Sequence, residues 1–187
     1  MRRIVLAILI VPIITLILTS CSLGGSEMFR GIFDDDQKIS NDRMEKILLV
    51  LQEKDEDALR KMFSKNAITQ AENFDGSIIE LFDFFKGEFE SYNDWSGPIV
   101  EEGRNDDGTG RNWKSTESTF DVITSEQKYR FAIKVFTKDT TEIDNIGIYS
   151  MYVIKMEDTN EEFAYWGDNK WSPGINIGIK NEKTDIE

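Results

Sequence analysis

The stretch QKYRFAIKVFTK, residues 127–138, alternates apolar and charged side chains. On an extended chain, one side carries the apolar members Tyr129, Phe131, Ile133 and Val135. The opposite side carries the cations Lys128, Arg130 and Lys134. This period of two is typical of a strand with one face on a core. Residues 145–156, NIGIYSMYVIKM, are apolar on both sides, which predicts a neighbouring strand covered on both faces.

Three helical segments precede these strands. The first carries a capping box formed by Asp42 and Glu45. The second opens at Asp55, a good N-cap, and runs through EDALRKMFSKNAI to residue 68. The third starts near Asp75 and ends at Gly87, which suits a position just after a helix. Apolar residues recur at helical spacing in each segment, so we expect each to pack on a core.

Extended segments follow from about residue 92 to the end of the chain. Turn residues, NDDGTG at 105–110, separate the first two, and WSPGINIGI at 171–179 predicts a loop and a short last segment. Three helices followed by four to five antiparallel strands predict an α+β fold, with the helices packed on the sheet. We assign residues 39–187 to this single domain.

The first twenty residues read as a cleaved leader. Arg2 and Arg3 precede fifteen mostly aliphatic residues, 4–18, which span roughly 22 Å as a helix. A permanent membrane helix must cross ~30 Å of hydrocarbon, so a signal peptide over residues 1–20 is the better interpretation. No second cysteine exists to pair with Cys21, which excludes a disulfide within the chain.

The end of this leader resembles the lipobox of bacterial lipoprotein precursors. The four residues that carry the resemblance are Leu18, Thr19, Ser20 and Cys21. It implies cleavage between Ser20 and Cys21 and a thioether-linked diacylglycerol on the Cys21 sulfur, with acyl chains such as palmitate on the glycerol. Two chains hold a protein at a bilayer far better than one. We therefore expect a lipid-anchored protein on the extracytoplasmic side of the cell membrane.

Residues 21–38 join this anchor to the domain. Their SLGGS and DDD runs predict a flexible linker, with a short helical contact through its few apolar residues as an alternative. The whole chain has a formal net charge of −13, and removal of the leader makes it more acidic. Nucleic acid is excluded as a partner because phosphate binding needs clustered Lys and Arg.

The helix DEDALRKMFSKNAI, residues 55–68, resembles the nuclear transport factor 2 superfamily. The resemblance extends over residues 39–179 and implies a cystatin-like roll, in which a curved antiparallel sheet wraps around a long helix. The chain is also similar to a lipoprotein group of Gram-positive bacteria. The features that carry this similarity are the lipobox, the same helix, the strand IGIYSMYVIKM at 146–156 and the closing WSPGINI at 171–177. That group is known only as a domain of unknown function.

Enzymes with this roll commonly use an Asp, often with His or Tyr, inside the cone formed by sheet and helices. The chain has no histidine, so the commonest general base at neutral pH is missing. A carboxylate base remains as the alternative, which would make the protein a small hydrolase or isomerase. The carboxylates on suitable strands are Glu101, Glu102, Glu117 and Asp121, and of these Asp121 is expected to face solvent. No motif indicates a cofactor or a metal site.

Aromatic side chains give the strongest hint of a ligand site. All four tryptophans lie in the strand-rich half. The residues we expect to contact a ligand are Trp113, Tyr149, Tyr152, Trp166 and Trp171. The same rings are also suited to closing the open end of a curved sheet. The sequence favours a non-catalytic domain that binds a small molecule, a peptide or an envelope protein of unknown identity.

Overall fold

The computed structural model describes residues 26–105, 108, 110–158 and 170–178, with side chains from residue 35 onward. The chain divides into two units after Lys38. Within the described part, no helix has both the length and the apolar character needed to cross a bilayer. The predicted leader at 1–20 and the predicted lipidation site, Cys21, lie outside the described residues.

Four helices open the described chain. They are α1 Ser26–Glu53, α2 Glu56–Met62, α3 Lys65–Gln70 and α4 Phe74–Phe84. Helix α1 begins well before Asp42, so the predicted capping box does not mark its start, and residues 26–38 of the predicted flexible linker are helical. Residues 32–53 contain neither glycine nor proline, so no helix-breaking residue interrupts their backbone.

The second predicted helix is two helices, because the chain becomes extended at Phe63. The Ser64 N–H donates to the Ile148 carbonyl of the sheet at 2.9 Å, and the Ser64 hydroxyl accepts from the Ala67 N–H at 3.0 Å to start α3. Gly147 permits this close approach. It has a φ of +127°, and a Cβ there would lie 2.8 Å from the Ser64 nitrogen. A contact with a distant strand therefore overrides local helix propensity.

Helix α4 is capped by the Asn73 side chain and ends at Phe84, earlier than the predicted Gly87. The hydroxyl of a buried tyrosine in the sheet forms hydrogen bonds with two backbone groups at this end of the helix. The Tyr129 hydroxyl donates to the Phe84 carbonyl at 2.8 Å and accepts from the Lys86 N–H at 2.7 Å. Burial raises the pKa of Tyr129, which keeps this hydroxyl protonated.

Five strands form one open sheet in the order β1-β2-β3-β4-β5. They are β1 Phe89–Arg104, β2 Asn112–Thr124, β3 Lys128–Asp139, β4 Gly147–Lys155 and β5 Gly174–Ile177. Short 3-10 turns occupy Ile143–Asn145 and Met156–Asp158. Strands β1 to β4 are antiparallel neighbours, which confirms a mixed α+β fold with N-terminal helices.

Strand β5 departs from the predicted antiparallel sheet, because it pairs with β4 in parallel. Met151 lies opposite Ile175, and Val153 lies opposite Ile177. Antiparallel neighbours can be joined by a two-residue hairpin, whereas a parallel pair needs a connection of about a dozen residues or more. Residues 156–173 supply that length between β4 and β5.

One cluster of buried apolar side chains joins the helices to the sheet. Its members include Met44, Ile47, Leu51, Leu59, Leu81, Phe82, Phe120, Phe131, Met151 and Val153. A residual gap beside Arg43 is too narrow to admit a water molecule. In the described residues, the space between helices and sheet is therefore a filled core. This directs the search for a site elsewhere.

The middle of the charged face of β3, from Arg130 to Phe136, is largely covered, although its alternation predicts an exposed surface, and only the ends of this face at Lys128 and Lys138 are exposed. Arg130 is only 8% exposed. Its guanidinium carbon lies 4.1 Å from the centre of the Trp95 ring, and its Nε donates to the Asp121 carboxylate at 2.7 Å. The expectation that Asp121 faces solvent is therefore wrong, because the register of β2 on β3 places it directly opposite Arg130.

Candidate functional site

A cleft of about 410 Å³ opens where α3, the 3-10 turn at Ile143–Asn145 and the covered face of β3 meet. This volume falls within the usual range of small-molecule sites, ~300–1,000 Å³. Its lining residues are Gln70, Lys134, Phe136, Glu142, Asn145, Tyr149, Lys170 and Trp171. A larger opening of about 490 Å³ lies at the β2–β3 turn, but its lining contains no aromatic ring. We therefore treat the first opening, the aromatic cleft, as the candidate site.

Lys134 supplies a fixed cation at one wall of the aromatic cleft. Its ammonium donates to the Glu117 carboxylate at 2.7 Å and to the Glu101 carboxylate at 3.5 Å. The side chain is only 16% exposed, and its Nζ lies 5.8 Å from the centre of the Trp171 ring. The two carboxylates neutralise the charge while the ammonium still faces an aromatic ring, an arrangement that favours cation–π attraction.

Trp171 occupies a strained backbone position at the opposite wall. Its φ is +52°, in the left-handed region that bulky residues rarely adopt. The Tyr152 ring meets the indole edge to face, with 6.0 Å between ring centres, and the Tyr152 hydroxyl accepts from the Ser172 N–H at 2.8 Å. The Ser150 hydroxyl donates to the Ser172 carbonyl at 2.6 Å. These contacts with β4 hold the indole in one orientation.

Three rings continue the aromatic surface along the sheet. The Phe136 and Tyr149 rings meet edge to face with their centres 5.7 Å apart, and Trp113 lies 6.4 Å beyond Phe136. Phe136 shares the face of β3 that carries Lys134, because the two residues are two positions apart on one strand. The cleft therefore has aromatic walls on a β-sheet, which is a rigid support.

Asp139 at the end of β3 orders the turn that closes the aromatic cleft. Its carboxylate accepts from Arg111 Nε at 3.1 Å, from Asn145 Nδ2 at 3.0 Å and from the Glu142 N–H at 3.1 Å. Burial alone raises the pKa of Asp139, but the Arg111, Asn145 and Glu142 contacts outweigh it and hold the pKa well below its usual range. Asp139 is thus a positioning residue for Glu142 and Asn145.

A comparison with protein-family models matches residues 46–156 to the family described as domain of unknown function DUF5104. The chain belongs to this family. The match covers most of the aromatic cleft, but it ends before Lys170 and Trp171. No curated protein matches the chain.

Four of the predicted ligand contacts fall at or beside the cleft of this DUF5104 member. Tyr149 and Trp171 line it directly. Trp113 and Tyr152 do not line the cleft but contact rings that do: Trp113 contacts Phe136, and Tyr152 contacts Trp171. Trp166 lies outside the described residues, as do Leu18, Thr19, Ser20 and Cys21, the residues of the predicted lipobox.

Sequence reasoning missed Lys134, Phe136, Asn145 and Gln70 as site residues. A signal for one of them was present: Phe136 follows the cations Arg130 and Lys134 on the charged side of β3, where a solvated face would not favour phenylalanine. Asn145 and Gln70 have no such signal. Each lies in a polar stretch and reaches the cleft only through the fold.

The carboxylates considered as general bases are in ion pairs or in solvent. Glu101 and Glu117 contact Lys134, and Asp121 contacts Arg130. Glu102 is exposed. Among the described residues of this DUF5104 chain, no group of three or more His, Cys, Asp or Glu side chains is arranged to hold a metal ion. Three of these four carboxylates therefore hold a cation in place.

Proposed function

We propose that this protein is a lipoprotein of Gram-positive bacteria, anchored at the outer face of the cell membrane, whose domain binds a ligand without catalysis in the aromatic cleft. The anchor is a diacylglycerol on Cys21. The domain is a variant of the cystatin-like roll of the nuclear transport factor 2 superfamily. This proposal keeps the location expected from the sequence and moves the ligand from the filled cone to the cleft.

The observation that carries the binding proposal is the backbone of Trp171. A left-handed conformation at a non-glycine residue costs about 1–2 kcal/mol, and such strain collects at functional sites. The strain places an indole at the wall of a cleft, where Tyr152 and Lys134 fix its position. A residue needed only to fill space at that point would be replaced by glycine or asparagine at no such cost.

The non-catalytic part of the proposal rests on the carboxylates near the cleft. Glu117 and Glu101 neutralise Lys134, and the low pKa of Asp139 keeps it ionised as a hydrogen-bond acceptor for the turn. These groups orient other side chains. The hydrolase or isomerase alternative requires a carboxyl group with a raised pKa on the floor of a closed pocket.

Ligand binding is tested by thermal-shift screening of the mature chain with Cys21→Ser, against wall fragments, peptides and sugars. We expect at least one class to raise the Tm of the parent protein and to have no effect on a Trp171→Gly variant. Trp95→Gly is the matched control, because Trp95 also stacks beside a cation but lies outside the cleft. No stabilisation by any class, or equal stabilisation of the Trp171→Gly variant, contradicts the proposal.

The anchor is tested separately, by mass spectrometry of the protein isolated from its native membrane. We expect a chain that begins at Cys21 and carries a diacylglycerol. A Cys21→Ala variant should lose both the lipid and its membrane association. An intact leader or an unmodified Cys21 thiol in the native protein contradicts the anchor and leaves the binding proposal standing.

A further inference from the structure

We infer that the ligand of the aromatic cleft is a saccharide. This inference rests on the proposed function, since it names the chemical class for the same site. Three features of the described cleft lead to it: the kind of apolar surface, the kind of polar group beside that surface, and the position of the cleft on the sheet.

Among the described residues, the apolar surface of the cleft is aromatic. The described apolar lining residues are Phe136, Tyr149 and Trp171, and none of the described lining residues is Ala, Val, Leu, Ile or Met. Aromatic faces carry partial negative charge and attract the polarised C–H groups on the flat side of a sugar ring. A lipid or a branched alkyl group would instead gain most from aliphatic walls that close around it. The cleft therefore suits a ligand that is flat and only partly apolar.

The polar lining consists of planar or charged groups at the edges of these rings. Gln70 contributes an exposed amide, Glu142 a carboxylate and Lys170 an ammonium. The Asn145 amide already bonds to Asp139, Glu142 and Asn66, so it shapes the cleft and is not counted among these groups. An amide or carboxylate can bind two neighbouring hydroxyls at once, because its two terminal atoms are spaced like theirs. The Tyr149 hydroxyl makes no hydrogen bond to a described residue, so it is available to a ligand. This mixture of groups matches the hydroxyls around a sugar.

Two other ligand classes fit less well. A phosphate group needs clustered cations, but the ammonium of Lys134 is already neutralised by Glu117 and Glu101 in a chain of net charge −13. An extended peptide commonly binds by pairing with the edge of a sheet. The cleft lies over β3, which pairs with β2 and β4 on its two sides and offers no free edge.

The test is titration of the mature chain carrying Cys21→Ser with neutral tetrasaccharides of different linkage. The probes are the tetramers of N-acetylglucosamine, of β-1,4-glucose and of α-1,4-glucose, followed by tryptophan fluorescence and calorimetry. We expect saturable binding of at least one probe. Trp171→Gly should weaken it about tenfold or more, the loss typical of a central aromatic contact.

Two further variants separate a role in binding from a role in folding. Tyr149→Phe keeps the ring and removes only the hydroxyl, so it should lower the affinity several-fold with little change in Tm. Trp95→Gly should leave the affinity unchanged, because Trp95 lies outside the cleft. Thermal denaturation of each variant shows whether it is folded during the titration.

Failure of this inference differs from failure of the proposed function. If no tetrasaccharide binds while a peptide or another class binds in a Trp171-dependent way, the saccharide inference is overturned and the binding proposal stands. If sugars bind equally well to the Trp171→Gly and Tyr149→Phe variants, the site is elsewhere and both are overturned. Absence of binding by every class also overturns both.

Discussion

Replacement of Asp139 by asparagine removes the charge at the centre of the turn that closes the aromatic cleft. The Asp139 side chain is completely buried, and its Oδ2 lies 2.5 Å from Arg111 and 3.0 Å from Asn145. The same carboxylate accepts from the Glu142 N–H. Asparagine has nearly the same shape, but it offers one acceptor oxygen and presents an N–H₂ group where the second oxygen stood.

The size of the effect follows from these contacts. Removing one partner of a fully buried ion pair costs about 3–5 kcal/mol. The Arg111 side chain is 26% exposed, so water solvates part of the guanidinium once its partner is lost. We therefore expect Asp139→Asn to lower the free energy of unfolding by about 2–3 kcal/mol at neutral pH. For a chain of this size, that corresponds to a fall in Tm of about 4–12 °C.

The loss should depend on pH with a defined sign. The pKa of Asp139 is held below its unfolded value, so the carboxylate stabilises the fold above the unfolded pKa of ~3.9. This stabilisation disappears as the pH falls through the lower, folded pKa. The difference in unfolding free energy between parent and variant is therefore constant above about pH 5 and shrinks below about pH 4.

The measurement is urea unfolding of parent and variant between pH 3 and pH 8. Asp144→Asn is the matched control, because Asp144 lies in the same turn and its ion pair with Lys65 is exposed. The control should change stability by less than about 1 kcal/mol. Equal losses for the two variants, or a loss at Asp139 that does not shrink in acid, would refute the account of the buried pair.

Three further substitutions test other parts of the fold by urea unfolding at pH 7. Tyr129→Phe removes the hydroxyl that bonds two backbone groups at the end of α4, so it should lower the free energy of unfolding by about 1–3 kcal/mol. The control Tyr92→Phe removes only a bond to the exposed Glu45 and should lower it by less than about 1 kcal/mol. Equal losses would contradict the account of Tyr129. Trp171→Gly should be more stable than Trp171→Ala by about 1 kcal/mol, because glycine accepts a φ of +52° without strain; equal stability would mean that no strain exists. Arg43→Met should raise the free energy of unfolding by about 1 kcal/mol. Burial lowers the pKa of Arg43, and its guanidinium makes no hydrogen bond to a described residue. A loss of stability would contradict this account and indicate a partner for the guanidinium.

The class of the fold is visible in the local spacing of apolar residues. Strand β3 is identified by the alternation of QKYRFAIKVFTK at 127–138, and β4 by the apolar run at 145–156. The start of α2 is identified by its N-cap, Asp55. The break at Phe63 is not visible in this way, because Ala58, Leu59, Met62 and Phe63 recur at the spacing of one helical face. It depends on the Ser64 contact with Ile148, a residue more than eighty positions away.

The candidate site was predictable only in part. Four of the five aromatic residues predicted to contact a ligand lie at or beside this candidate cleft. The polar residues that complete it come from α3, from the turn after β3 and from the strand interior. Lys134 in particular reads from the sequence as a solvated cation, and only strand pairing with β2 places it against Glu117.

The amino-acid sequence by itself determines the order of helices and strands and the presence of one thiol after an apolar N-terminal stretch, because these properties are local or compositional. Tertiary structure decides that α2 and α3 are separate, that β5 runs parallel to β4, that the described helices and sheet enclose a filled core, and that Lys134 and Trp171 share a cleft. Each of these depends on strand register and on contacts between residues far apart in the chain. Their free energies arise only when the sheet has formed, so no periodicity in the sequence encodes them.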